Sequence, residues 1–342
     1  MLSLFGKKLS GKTIFNFLTL VLSVGLLAYF CLSENGLTSL SQHVHEFKIG
    51  WLVLGFLCML CDLFLDTCLI FLFTKSVSRT YTFNRAFKVC MVGHLYSAVT
   101  PFQSGGQPMQ IYVMSKQDID PGKATSTLVQ KFFIYQTGIT LYSLFAIIFQ
   151  TSYFKSTLNS VMWWLALVGF AAQVFVAVLL LVFSFNQRIT HKILTAVSKL
   201  LFRLHLMKNY ETTLESWEKQ LAVFHESNKS LYQDKKLLVK SYLLTFLQLT
   251  SLFVVSYCIY RAFDIGNASP INMIFSQAFV TMVSSLVPLP GAAGASEGSF
   301  YIFFSSFFTA GTLKSAILLW RIITYYAVIL ISAPFSRIAK KM

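Results

Sequence analysis

Charge is scarce in this chain. Asp, Glu, Lys and Arg together make up 12% of its 342 residues, roughly half the share that a soluble domain carries. That scarcity excludes an ordinary cytosolic globule, and 55% hydrophobic residues exclude a disordered chain. Cysteines number only six. Cys31, Cys58, Cys61, Cys68, Cys90 and Cys258 all lie inside apolar runs, where they read as small hydrophobes on helices. Cys58 and Cys61 form a C-x-x-C, but no second pair or histidine cluster completes a metal site, so neither a metal nor a disulfide framework is expected. There is no G-x-x-x-x-G-K-[ST] loop to cradle a nucleotide, and no cofactor is expected. What is abundant is apolar: 34 Phe and 15 Tyr, with a mean hydropathy of +0.64. The fold class this implies is an all-α polytopic membrane protein.

Six apolar runs, at 14–32, 50–73, 132–150, 161–185, 237–260 and 313–333, are long enough to cross a bilayer. The first follows Lys7, Lys8 and Lys12 and is too long for a signal-peptide core, so it reads as an uncleaved span. Two further stretches are broken in the middle. Residues 83–112 are interrupted by Thr100, Pro101, Gly105 and Gly106, with Pro108 just beyond. Residues 271–308 are interrupted by Pro288, Pro290, Gly291 and Gly294. Proline removes a donor and glycine weakens a helix, so each stretch is expected to form a re-entrant hairpin of two half-helices.

The basic residues orient this arrangement. With the N-terminus in the cytoplasm and each broken stretch returning to its own side, 23 of the 28 Lys and Arg fall inside and four outside, leaving Arg321 in mid-span. That bias predicts six full spans with both termini cytoplasmic. One hairpin then dips in from the cytoplasm and the other from outside. Two broken elements of opposite orientation point to an inverted repeat with a substrate site between them. Residues 186–236 form the one sizeable polar segment. Apolar residues recur in it at helical spacing (Ile189, Ile193, Val197, Leu200, Leu201, Leu204), predicting a basic amphipathic connector against anionic headgroups. No folded basic module for nucleic acid is visible.

Ionisable residues inside the membrane need a reason. Asp62 and Asp66 stand four apart on one helical face, Glu297 opens a half-helix, and Arg321 lies in the last span. Two readings stay open. In one, Arg321 pairs with one acid while another is protonated, locking the helices. In the other, these groups line a hydrated groove and meet a lipid headgroup, with Asp62 and Asp66 suited to an amine and Arg321 to a phosphate. His94 reads as a satisfied helical histidine, and Lys131, at the start of the third full span, as a snorkelling cation.

The interruptions carry a resemblance. Thr100-Pro101-x-x-Ser104-Gly105-Gly106-Gln107-Pro108-Met109-Gln110 resembles the T-P-x-x-x-G-G-E-P-x-R signature of the lysylphosphatidylglycerol synthase/flippase transmembrane family. Pro288-x-Pro290-Gly291-x-x-Gly294-x-x-Glu297 is similar to that family's P-x-P-G-x-x-G-x-x-E element, and Arg321 with Tyr325-Tyr326 resembles its late R-x-x-x-Y-Y. The resemblance runs from the first span to the last. It implies a flippase-like domain, 1–342, of the bacterial cytoplasmic membrane, like that of the multiple peptide resistance factors, which moves aminoacylated phosphatidylglycerol between leaflets. With the chain ending at Met342, the separate synthase domain of two-part members is expected to be absent. Gln107 and Gln110 replace the family's usual Glu and Arg; neutral amides can hydrogen-bond a phosphate or sugar but cannot ion-pair with one.

A translocase of a phospholipid or glycolipid is the leading expectation, rather than an enzyme. A non-transporting subunit that anchors a lipid-synthesising enzyme through 186–236 is the alternative, and a homo-oligomer is compatible with either. An intramembrane lipid transferase is weaker, because Asp62-x-x-x-Asp66 is deep in a span and has no accompanying histidine in sequence.

Overall fold

The computed structural model describes residues 47–157, 160–203, 210–287 and 289–337. The expected first span at 14–32, together with Lys7, Lys8, Lys12, Cys31 and Pro288, lies outside the described residues. Among those described, all regular structure is helical. Five stretches are long and apolar enough to cross a membrane: Ile49–Val77, Pro121–Phe149, Ala166–Phe185, Lys235–Ala262 and Ala310–Phe335. They coincide with the five expected runs that fall in the described residues, and the chain is a multi-pass membrane protein.

Helices α1 (Ile49–Val77) and α8 (Lys235–Ala262) form the central pair. They run antiparallel: Lys48 N–H donates to Ala262 O at 2.9 Å at one end, where Lys48 also pairs with Asp264 at 2.5 Å. Halfway along, Ser251 Oγ donates to Cys58 O at 2.8 Å. Asp234 starts α8 by accepting from Leu237 N–H at 3.0 Å, the side-chain cap that a helix N-terminus needs. At 29 residues, α1 is about 44 Å long.

Two helical hairpins flank this pair from opposite ends. The first is α2 (Phe83–Ala98) and α3 (Gly106–Lys116), joined through a 3₁₀ turn at Pro101–Gln103. Its base sits beside the Val77 end of α1, pinned where Tyr81 OH donates to Gln117 Oε1 at 2.8 Å and Arg85 Nη1 to Gln117 O at 3.4 Å. The second is α9 (Pro270–Ser285) and α10 (Ala295–Phe304), joined through a 3₁₀ turn at Pro290–Ala292. Its base sits at the other end, where Tyr260 OH accepts from Asn267 and Ala268 N–H at 3.1 and 3.0 Å. Each first limb has 16 residues, about 24 Å or roughly half of α1. The limbs therefore reach mid-bundle, and the two turns lie against one another.

Helix α4 (Pro121–Thr157) begins well before the expected boundary at 132. Its first turns are amphipathic rather than apolar and bury Ala124, Ser126, Thr127, Leu128 and Gln130. This early start places Lys131 in the third turn, inside the protein. The expectation that Lys131 snorkels outward is corrected: its side chain is 16% exposed and ion-paired. After α5 (Ser160–Phe185), the polar segment forms α6 (Gln187–Arg203) and α7 (Tyr210–Gln233). Gly122 N–H donates to Gln220 Oε1 at 2.7 Å and Gln130 Nε2 to Asn228 Oδ1 at 3.0 Å, which docks α7 on the start of α4. Ile189, Ile193, Val197 and Leu200 form an exposed apolar stripe along α6. The chain ends its described course in α11 (Ala310–Arg321), a π-turn at Ile322–Tyr326, α12 (Ala327–Ser332) and a 3₁₀ turn at Ala333–Arg337.

Two consequences are measurable. At Gly106 the hairpin limbs are so close that a Cβ would lie 2.9 Å from Gly93 O and 2.0 Å from Ser97 Oγ. Gly106→Leu is expected to cost about 1–3 kcal/mol through forced separation and to lower the thermal unfolding temperature in detergent. Gly50→Leu, where a Cβ meets nothing within 4 Å, should leave it unchanged. His225, buried on α7 with Nε2 2.8 Å from Thr190 Oγ1, is held below the usual imidazole range by burial, which disfavours its charged form. Its unfolded state therefore binds the proton more readily, and its contribution to stability is lost as pH falls below about 6.5. Amide exchange in α6 and α7 should quicken on acidification, and His225→Gln should flatten that response.

Candidate functional site

The two breaks share one backbone conformation. In the first, Thr100 is extended (φ −121°, ψ 146°), Pro101 starts the turn and Phe102 is left-handed (φ 51°, ψ 19°). In the second, Leu289 is extended (φ −108°, ψ 148°), Pro290 starts the turn and Gly291 is left-handed (φ 59°, ψ 16°). Gln103 and Ala292 follow with φ of 56° and 49°. The hydrogen bonds match too: Gln103 N–H to Thr100 O and Ser104 N–H to Pro101 O, against Ala292 N–H to Leu289 O and Ala293 N–H to Pro290 O. Left-handed φ at Phe102, Gln103 and Ala292 is strained for residues with a Cβ, so the surroundings must hold it.

Different side chains hold each break. In the first, Thr100 Oγ1 accepts from Gly105 N–H at 2.8 Å and donates to Tyr96 O at 2.7 Å. In the second, Glu297 and Arg321 do it. Glu297 Oε2 accepts from Gly294 N–H at 2.7 Å, capping α10, while its Oε1 receives Arg321 Nε at 2.6 Å. Arg321 Nη2 donates to Gly291 O at 2.9 Å. Both side chains are buried. Arg321 also stands 5.0 Å from the ring centroid of Tyr325, a cation–π contact.

Tyr325 joins the breaks. Its hydroxyl donates to Ala98 O at 2.9 Å, at the end of α2. Its ring covers Gly291, where a Cβ would lie 2.4 Å from the ring carbons and φ is positive, so glycine is required twice over. Tyr325 lies in the π-turn directly after Arg321, a feature frequent at functional sites. A lone tyrosine in an apolar span carries no sequence signal of what it bridges.

Asp62 and Asp66 belong to a second group. Lys131 Nζ lies 2.6 Å from Asp66 Oδ1 and His94 Nε2 lies 3.3 Å from Asp66 Oδ2. Cys90 Sγ donates to Asp66 Oδ2 at 3.2 Å and Gln248 Nε2 to Asp66 Oδ1 at 3.3 Å. The absence of an accompanying histidine is thus corrected: α2 brings His94 to the pair from a distant part of the sequence. The Asp66, Cys90 and His94 donor atoms lie within 4.8 Å of one another, but the Lys131 ammonium already sits on the carboxylate and would repel a metal ion. Among the described residues no ion pair joins Asp62 or Asp66 to Arg321, so the three acids that faced one arginine in sequence are divided between two groups. Gln110 is buried; it lies across Gly93 and its Nε2 donates to Val89 O at 3.4 Å, tying α3 to α2. Gln107, half-buried, opens α3.

Paired half-helices, matched breaks and a buried Arg–Glu clamp across most of the chain agree with one sequence profile. The lysylphosphatidylglycerol synthase TM region matches residues 16–332. The chain belongs to this family. A UPF0104 membrane protein of Archaeoglobus fulgidus is 24% identical over 275 residues, covering 76% of this chain and 78% of that protein. The matched region is the membrane part of the family, not a catalytic synthase domain.

For this family member, Arg321→Ala would leave the Glu297 carboxylate buried without its opposite charge, held only by Gly294 N–H. The expected loss of stability is about 3–5 kcal/mol, read as a lowered denaturation midpoint in mixed micelles. The double variant Arg321→Ala with Glu297→Ala should lose less than the two single losses added together. Simple additivity would show that the two side chains act independently.

Proposed function

We propose that this protein is a lipid translocase that moves a phospholipid or glycolipid between the leaflets of the bacterial cytoplasmic membrane, with aminoacylated phosphatidylglycerol among the candidate substrates. The observation that carries this reading is the pair of matched breaks, approached from opposite ends of the bundle and touching at their tips. Such a pair is the signature of an inverted repeat with a substrate path at its centre. Irregular backbone at membrane depth persists only where it is buried in protein or lines a wet cavity.

In this reading the two hairpins are re-entrant, six full spans surround them, and both termini are cytoplasmic, as the distribution of basic residues supports. Arg321 and Glu297 hold the second break closed in the resting state. A headgroup phosphate competing for Arg321 would release Gly291 O and loosen the break, so one residue serves both lock and recognition. Gln107 and Gln110 contribute neutral hydrogen bonds along the path. The α6 stripe with Arg188, Lys192, Lys199 and Arg203 suits the anionic cytoplasmic face. That same exposed stripe favours a second reading, a subunit that anchors a lipid-synthesising enzyme without itself transporting.

Proteoliposomes holding the full chain and fluorescent phospholipids or glycolipids separate the two. Wild type should carry at least one of these lipids across well above the rate of empty vesicles. Arg321→Lys, which keeps the charge but loses the fork that binds carboxylate and backbone together, should slow this by about tenfold or more, equivalent to ~1.4 kcal/mol. No movement of any lipid by folded wild type would leave the subunit reading standing alone.

A further inference from the structure

The lipid-facing side of α5 carries on past the end of its span. Val178, Leu181, Val182 and Phe185 are exposed apolar residues at the i, i+3, i+4, i+7 spacing of one helical face. The apolar span ends at Phe185, but the helical hydrogen bonding does not stop there. Asn186 N–H donates to Val182 O at 2.9 Å, and Thr190 N–H donates to Asn186 O at 3.1 Å. The next positions on that face are therefore Arg188, Ile189 and Lys192, and all three are exposed. The other side of α6 is held by the protein, where buried Thr190 meets His225 of α7.

Depth sorts these residues. At 1.5 Å per residue, Arg188 stands about 4.5 Å and Lys192 about 10 Å beyond Phe185. The headgroup layer of a bilayer is about 5–8 Å thick on each side. Arg188 falls within that layer, and the stem of Lys192 is long enough to bend back into it. An open cleft of about 430 Å³ is lined, among the described residues, by Gln187, Arg188, His191 and Lys192. His191 is already engaged, its Nε2 lying 3.0 Å from Glu218 Oε1. Arg188 and Lys192 have no ion pair among the described residues, and α6 contains no Asp or Glu.

We propose that this face binds one anionic phospholipid, its phosphate in the cleft at Arg188 and Lys192 and its acyl chains along Val178, Val182 and Phe185. Two requirements set the ligand, and both must be met together. The apolar residues below call for acyl chains, which a soluble phosphate lacks. The two unpaired cations above call for net negative charge, which a zwitterionic lipid cancels with its own ammonium. The Arg188 guanidinium can take two phosphate oxygens at once, while Lys192 adds a point charge. Lys199 and Arg203 stand farther along α6, clear of the cleft. No residue of this site belongs to either break, so the site holds whether or not the chain transports lipid.

The test uses the full chain in phosphatidylcholine nanodiscs with increasing shares of phosphatidylglycerol, read by hydrogen exchange of amides 181–195. Phosphatidylglycerol should slow exchange there, at a midpoint that rises with salt because exposed charges are screened. Arg188→Gln with Lys192→Gln should raise the midpoint by about thirtyfold, the worth of two cations at a lipid surface. Lys199→Gln with Arg203→Gln removes the same charge away from the cleft and should leave the midpoint in place. Glycerol phosphate added to discs of pure phosphatidylcholine should have no effect. Unchanged exchange in α1 and α8 checks that each variant is folded; should one fail, the lipid and salt series on wild type decides. Equal exchange of 181–195 in wild type with and without phosphatidylglycerol overturns the site. So does a wild-type midpoint in the protein lacking Arg188 and Lys192. An equal loss on removing Lys199 and Arg203 overturns the assignment to the cleft. Protection by glycerol phosphate alone overturns a lipid as the ligand.

Discussion

Backbone N–H and C=O groups at membrane depth have no bulk water to satisfy them, and each one left open costs several kcal/mol. A chain that breaks two helices in the middle of its helical bundle must likewise supply partners from elsewhere. Here much of that task falls to one helix. Arg321 reaches Gly291 O and Glu297, which itself caps Gly294, and one turn later Tyr325 reaches Ala98 O across to the other break. The half-length limbs and the meeting of the two tips are tolerable only because these side chains close the open ends.

The same constraint organises charge. Buried ions must be matched close to where they sit, because the low dielectric makes an unmatched one expensive. The protein meets this with two local groups instead of one extended network. Glu297 and Arg321 form a clamp on backbone, complete in itself. Asp62, Asp66, His94 and Lys131 form the other, in which Lys131 and His94 both face Asp66. The two groups touch opposite hairpins, whose turns lie against one another.

Much of the fold was legible in the sequence because its causes are local. Apolar runs report their own burial in lipid, and Pro101, Gly105, Pro290 and Gly291 report the breaks through their own backbone chemistry. The candidate site was legible only in part. Asp62, Asp66, Glu297 and Arg321 stood out as charges in apolar surroundings, yet nothing in their order says which pairs with which. Lys131 was misread because its helix starts eleven residues earlier than its apolar stretch, so a residue at the apparent boundary lies inside. His94 and Gln248 join Asp66 from 28 and 182 positions away along the chain, separations that no local pattern encodes.

Composition and spacing alone determined that this is a multi-pass helical membrane protein, broken at two places, with a handful of ionisable groups it could not leave unmatched. The partners were decided by the tertiary structure. Pairing inside a membrane depends on which helix faces meet, and those faces are set by the packing of α1 against α8 and of each hairpin around them. The identical left-handed turns at Phe102–Gln103 and Gly291–Ala292 make the same point. Glycine announces such a turn in the second break; in the first, a phenylalanine and a glutamine adopt it, between Thr100 and Gly105, which the Thr100 hydroxyl ties together.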